Sequence, residues 1–238
     1  MQSQVRLRTI AQAAMFQSRP FSYPSRHSRI RAMSCLFDRI MKIISINIAA
    51  VGDLFATPLG QQGIKTGIHK LPVSGPVQAN RLGLAGDEQA DLSVHGGLDK
   101  AVYAYPSEHH AFWQAQLAAR QKRPVGEPAI GPGTLGENLT TEGLLESDLW
   151  IGDRLQIGEV TLQVTEPRHP CYKLNAKLGF SHASKVMIQS GFSGFYLRVV
   201  QIGRLCAGDA ITLVPGPREV ALAWLNERRR KGRQEDLF

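Results

Sequence analysis

The chain is short of cysteine. It has three, Cys35, Cys171 and Cys206, far apart and with no C-x-x-C spacing. An odd, scattered set excludes a disulfide framework and fits a reducing compartment such as the cytoplasm. No run of 18 apolar residues exists, so no membrane-spanning helix is expected. No compact apolar stretch ends in a small-residue cleavage site, which argues against a secretory signal. Balanced charge is missing only at the ends. Residues 1–40 carry seven arginines and one acid, Asp38, and residues 226–238 carry five basic and three acidic side chains. Residues 41–225 hold sixteen of each sign, so the formal charge of +8 lives in the ends. A nucleic-acid binder needs a basic face on its folded part, and none is legible here.

What is present is enough for one β-rich domain: 238 residues, 43% of them hydrophobic. Residues 1–40 lack apolar periodicity and read as an extension without fold, with a transit-like segment as the other reading. Met33 and Met41 are both candidate starts. Residues 41–215 read as the folded domain, and 216–238 as a short helix with a basic tail. Lys42–Ala50 is β-branched and reads as a strand. Ala101–Tyr105 is another, followed by a helix from Pro106 to about Arg120. Leu155–Val164 alternates on both sides of Gly158-Glu159 and reads as a hairpin. His182–Gln189 reads as a helix, Tyr196–Ile202 and Ala210–Val214 as strands. The class expected is mostly β with a few short helices, closed or half-closed into a barrel.

One segment concentrates chemistry: Glu166-Pro167-Arg168-His169-Pro170-Cys171-Tyr172-Lys173. Two prolines stiffen the exit from the preceding strand, since proline cannot continue a ladder. Arg168 and Lys173 flank the cysteine, and nearby cations favour the thiolate, the form that attacks electrophiles and binds soft metals. Taken alone, Cys171 reads as a buried, inert thiol. Three further clusters stand out: Gly86-Asp87-Glu88 with Val94-His95-Gly96-Gly97-Leu98-Asp99-Lys100, then Gly136-Glu137-Asn138-Leu139, and Gly63–Lys70.

Gly-Asp-x7-His-Gly-Gly, Gly-Glu-Asn-Leu and Pro-Arg-x-Pro-Cys, in that order, resemble the MOSC family, the molybdenum cofactor sulfurase C-terminal domain family. The wording is most similar to a bacterial branch tied to resistance to 6-N-hydroxylaminopurine. The match covers about residues 42–214. It implies a MOSC-type β-barrel that holds a molybdopterin cofactor, with Cys171 as the protein's ligand to molybdenum. It implies an oxidoreductase of the cytoplasm that reduces N-hydroxylated nucleobases and hydroxylamines to amines, with electrons from a separate reductase. Neither nucleic acid nor membrane is an expected partner. Relatives in that branch carry a three-helix domain after the barrel, whereas 24 residues follow Val214 here. A cofactor or sulfur carrier without turnover is therefore the alternative.

With that resemblance, Cys171 and His95 are the catalytic candidates. Cofactor contacts are expected from Lys70, Asp87, His95, Gly96, Gly97, Lys100, Gly136, Glu137, Asn138, Arg168, Cys171 and Lys173. Plainer readings stand beside these: His95 and Asp87 as turn residues, Glu137 and Asn138 as loop-closing side chains, Arg168 and Lys173 as surface charges. His169 is a substrate-facing or supporting candidate. Cys206 reads as packing. His109 and His110 read as surface, and Tyr103, Phe112 and Trp113 as core.

Overall fold

The computed structural model describes residues 40–56, 61–91, 96–119 and 130–235. The chain divides into Met1–Arg39 and Ile40–Phe238. The N-terminal extension, all but Ile40, lies outside the described residues. So does His95.

The strands are β1 (Lys42–Ile48), β2 (Gly52–Asp53), β3 (Lys65–Thr66), β4 (Leu71–Val73), β5 (Val77–Asn80), β6 (Gly83–Leu84), β7 (Val102–Pro106), β8 (Leu139–Glu142), β9 (Arg154–Ile157), β10 (Val160–Pro167), β11 (Phe195–Gln201), β12 (Gly203–Leu205) and β13 (Ile211–Val214). The helices are α1 (His110–Ala118), α2 (Tyr172–Leu178), α3 (Ala183–Ser190) and α4 (Leu222–Glu235). The class is mostly β with short helices, as expected. Strands β9 and β10 form the hairpin, with Ile157 opposite Val160. Gly158 at its tip has φ 54°, a left-handed conformation that suits glycine.

Eight strands make one large mixed sheet, in the order β13-β9-β10-β11-β7-β8-β1-β4. Only β7 and β8 run parallel within it. The ladder ends on β13 and β4, yet the β1 edge also reaches the start of β13. Lys42 bridges Ala210. Ile43 N–H donates to Asp209 O at 2.9 Å, and Ile211 N–H to Met41 O at 2.8 Å.

Two cores follow from the alternation of strand side chains. Val102 and Ala104 of β7 enter the main core with Ile43, Ile46, Leu162 and Leu197. Tyr103 and Tyr105 of the same strand point the other way. They join Trp113 and Leu117 of α1, Leu174 and Leu178 of α2, and Met187 of α3. Helices thus cover the far face of β7 and β11, and this second layer frames the site.

Two expectations change. His109 is buried, not on the surface: its Nε2 lies 2.8 Å from a Glu146 carboxylate oxygen, and its ring stacks on Phe192 with centroids 3.9 Å apart. His110 is half-buried and stacks on Tyr105. Burial, then His109 beside it, pushes the His110 pKa below its ordinary value. The C-terminal helix exists, but it is not simply a solvated tail. Leu222 is fully buried, and Asn226 donates to Gly191 O at 3.1 Å.

Candidate active site

Strand β10 ends at Pro167, whose ladder partner is Phe195. Arg168 N–H makes one more bond, to Gly194 O at 3.3 Å, and the chain then turns away through His169 and Pro170. Cys171 is the residue that caps the start of α2, with extended φ −120° and ψ 178°. It is half-buried and lines an open cleft. The cleft encloses about 670 Å³ of space, open solvent at its mouth included.

Five segments build the walls. They are Thr66–Lys70, Asp87–Asp91, Lys100 with Tyr103, Gly136 with Asn138, and Arg168 to Lys173, with Tyr196 beside them. Of the residues expected from sequence, Lys70, Asp87, Lys100, Gly136, Asn138, Arg168, Cys171 and Lys173 meet here. His169 lines the cleft too.

Close backbone approach explains Gly67 and Gly136. A methyl on Gly67 would stand 2.3 Å from Glu88 O, and one on Gly136 would stand 2.8 Å from the Ile68 side chain. These glycines serve the packing of wall on wall. Gly96 and Gly97 are not cleft-lining. Gly97, with φ 86°, opens the short turn Leu98–Lys100. Its N–H donates to Gln89 Oε1 at 3.3 Å, so it supports Lys100 and is already engaged.

The polar side chains are tied down tightly. Asp87 accepts from the Lys70 ammonium, from Ala49 N–H at 3.0 Å and from Asn138 Nδ2 at 2.9 Å. Asn138 Oδ1 in turn accepts from Tyr103 N–H at 3.1 Å. The pair locks β1, β7 and the 87–91 segment together. Burial pushes the Lys70 pKa below its ordinary value, and Asp87 pulls it back.

Glu137 does not face the cleft. It is fully buried and closes its own loop, accepting from Gly133 N–H at 2.7 Å, Leu135 N–H at 3.0 Å and Thr140 Oγ1 at 2.9 Å. The plainer loop-closing reading describes its carboxylate. Burial raises its pKa, while these donors lower it.

Arg168 is buried, with its guanidinium carbon 4.7 Å from the centre of the Tyr103 ring. Its Nη1 donates to Leu135 O at 2.8 Å. Burial opposes its charge, but Tyr103, Tyr196 and Cys171 outweigh that and raise its pKa. Lys173 Nζ donates to Lys65 O at 2.8 Å. Lys100 lies 3.6 Å from the Glu166 carboxylate.

Sequence reasoning missed two residues. Tyr196 lines the cleft beside Arg168. Lys177, one turn beyond Lys173, donates to Ile68 O and to Gly133 O, each at 2.6 Å. It clamps two wall segments onto the helix that begins at Cys171. The i, i+4 spacing of Lys173 and Lys177 was the available signal.

The structure thus brings a half-buried thiol at a helix start into an open cleft lined by four cationic side chains, Lys70, Lys100, Arg168 and Lys173. The model of the MOSC domain matches residues 91–212, and the chain belongs to the MOSC domain family. It is 40% identical over 164 residues to protein YflK of Bacillus subtilis, covering 68% of this chain and 70% of that one. It is 38% identical over 169 residues to protein YiiM of Escherichia coli, covering 68% and 73%. A protein named reductase from Gibberella moniliformis is 37% identical over 155 residues, 65% of this chain and 26% of that longer one. The crystal structure of YiiM from Geobacillus stearothermophilus superposes with a TM-score of 0.63 at 33% identity, covering 81% of this chain and 85% of that one.

Proposed function

We propose that this protein is a molybdenum-cofactor oxidoreductase that reduces N-hydroxylated compounds to amines. The observation that carries the reading is Cys171, half-buried and open to a cleft lined by Lys70, Lys100, Arg168 and Lys173. The residues fit the cofactor. One soft thiol suits a metal already held by sulfur. Among the described residues no three His, Cys, Asp or Glu side chains cluster around a common point. A metal here would therefore arrive with ligands of its own, as molybdenum does in its pterin. Bound there, the cofactor would supply the two-electron redox change.

The chain's own groups do the rest. Cys171 offers its sulfur to the metal. Lys173 and Lys100, at the more open part of the wall, suit the anionic tail of the cofactor. Arg168 holds the Leu135 carbonyl and the Tyr103 ring, and so fixes the wall behind the sulfur. Reduction of an N–OH group to the amine also consumes two protons and releases water. His169, beside Pro170 and Cys171, is the described side chain suited to deliver them; His95 is the second candidate. The similarity to a protein named reductase supports the redox class.

We also read the sheet as the MOSC-type barrel, supported by the Lys42–Ala210 bridge. Few and scattered cysteines suit a reducing setting, so we place the enzyme in the cytoplasm, with a separate reductase as its electron donor.

The test is an assay of the molybdenum-loaded protein on 6-hydroxylaminopurine with an artificial electron donor. Formation of adenine is the expected result. Loaded protein that is inactive on every N–OH compound, yet passes its cofactor to an apo-enzyme, overturns the substrate claim and favours a carrier.

A further inference from the structure

Arg229 sits on α4, outside the cleft. Its Nη1 donates to Pro167 O at 2.7 Å and reaches Arg168 O at 3.4 Å. Its Nη2 lies 3.7 Å from the Glu166 carboxylate. The other oxygen of that carboxylate faces Lys100 Nζ, a cleft-lining cation, at 3.6 Å. Glu166, Pro167 and Arg168 are the last residues to pair with β11 and with Gly194 just before it, ahead of the exit to Cys171. The donors from α4 fall where the strand ladder stops.

The helix does not need Arg229 in order to dock. Leu222 is fully buried, its N–H donates to Leu149 O at 3.0 Å, and Asn226 donates to Ser193 Oγ at 3.1 Å. Leu222, Asn226 and Arg229 share one helical face by their spacing. Replacement of Arg229 therefore removes the tether and leaves the helix in place.

We infer that Arg229 is a positioning residue, which holds the Pro167–Cys171 segment and, through Glu166, the Lys100 side chain from the C-terminal helix. The importance of this tether for chemistry rests on the functional reading of Cys171. Its mechanical part does not.

The experiment is amide hydrogen exchange on the full-length purified protein as wild type, Arg229→Ala, Arg229→Lys and, as a control on the same helix, Arg230→Ala. Among the described residues Arg230 pairs with half-buried Glu227, at 3.8 Å. In Arg229→Ala the peptide covering residues 166–174 should lose about tenfold in protection, the scale of one charge-assisted hydrogen bond. The hairpin from Arg154 to Val164, outside that peptide, should keep its protection. Arg229→Lys, which retains a cationic donor, should restore most of the loss, and Arg230→Ala should match wild type. Unchanged protection of 166–174 in Arg229→Ala overturns the proposal. An equal loss over hairpin and segment also overturns it, because that is general destabilisation. Molybdenum content of the same samples separates the two claims. Wild type without molybdenum removes the functional reading and leaves the exchange result standing.

Discussion

Half-buried Lys177 interacts with fully buried Glu137, one on the helix that starts at Cys171, the other in the loop that closes on Gly133. Burial pushes the Lys177 ammonium down to about 8, against the pull of Glu137. An unfolded chain keeps the ordinary lysine value of 10.5. Between these values the unfolded state binds a proton that the folded state has given up, so stability rises with pH across this window. Below pH 8 both states are protonated and the contribution is flat. Compared by urea unfolding with Lys177→Met, wild type should gain about 1.4 kcal/mol per pH unit from pH 8 towards pH 10. A constant gap over that range contradicts the assignment. The neutral amine still has donors for Ile68 O and Gly133 O, so the clamp survives the loss of charge. At this scale the sequence marked Lys70, Lys100, Arg168 and Lys173, which line the cleft, but neither their partners nor Lys177. Asp87 and Asn138 were legible as site residues because they stand in motifs. That their side chains bind each other, Lys70 and the backbone depends on segments far apart in sequence. Glu137 is the clearest case: its motif position was visible, its inward direction was not.

Among the elements, those with regular alternation were legible. The β9–β10 hairpin carries apolar residues at every second position around Gly158-Glu159, and it forms as expected. Strand β8, Leu-Thr-Thr-Glu, has no such signature. Thr140 and Thr141 are both buried there, and the Thr140 hydroxyl is engaged by Glu137 and Asn47. Helix α2 is seven residues long and follows directly on Pro170-Cys171, so its Leu174 and Leu178 gave too short a pattern to read. His109 was misplaced because helical spacing alone does not say which face meets Glu146. The cleft walls carry a prediction of their own. Segment 66–70 lies on Glu88 with no room for a side chain at Gly67, so Gly67→Ala should cost about 1–3 kcal/mol in urea unfolding. Gly52→Ala is the control, since its methyl would meet nothing within 4 Å. Equal stability of the two variants contradicts the packing of these walls.

Across the whole molecule, the formal charge of +8 lies in the two ends, while residues 41–225 are neutral. The basic C-terminal segment proves more than solvated charge, because Arg229 reaches the carbonyls just before the cysteine. None of the described helices is long and apolar enough to cross a membrane. Sheet, helical layer and C-terminal helix converge on one segment, and the account stands on what the sulfur at its end does. The direct measurement is molybdenum content by elemental analysis of wild type and Cys171→Ser, purified side by side from cells that make the cofactor. The account predicts near-stoichiometric molybdenum in wild type and a severe loss in a Cys171→Ser protein of unchanged fold. Equal molybdenum in both, or none in wild type, would contradict it.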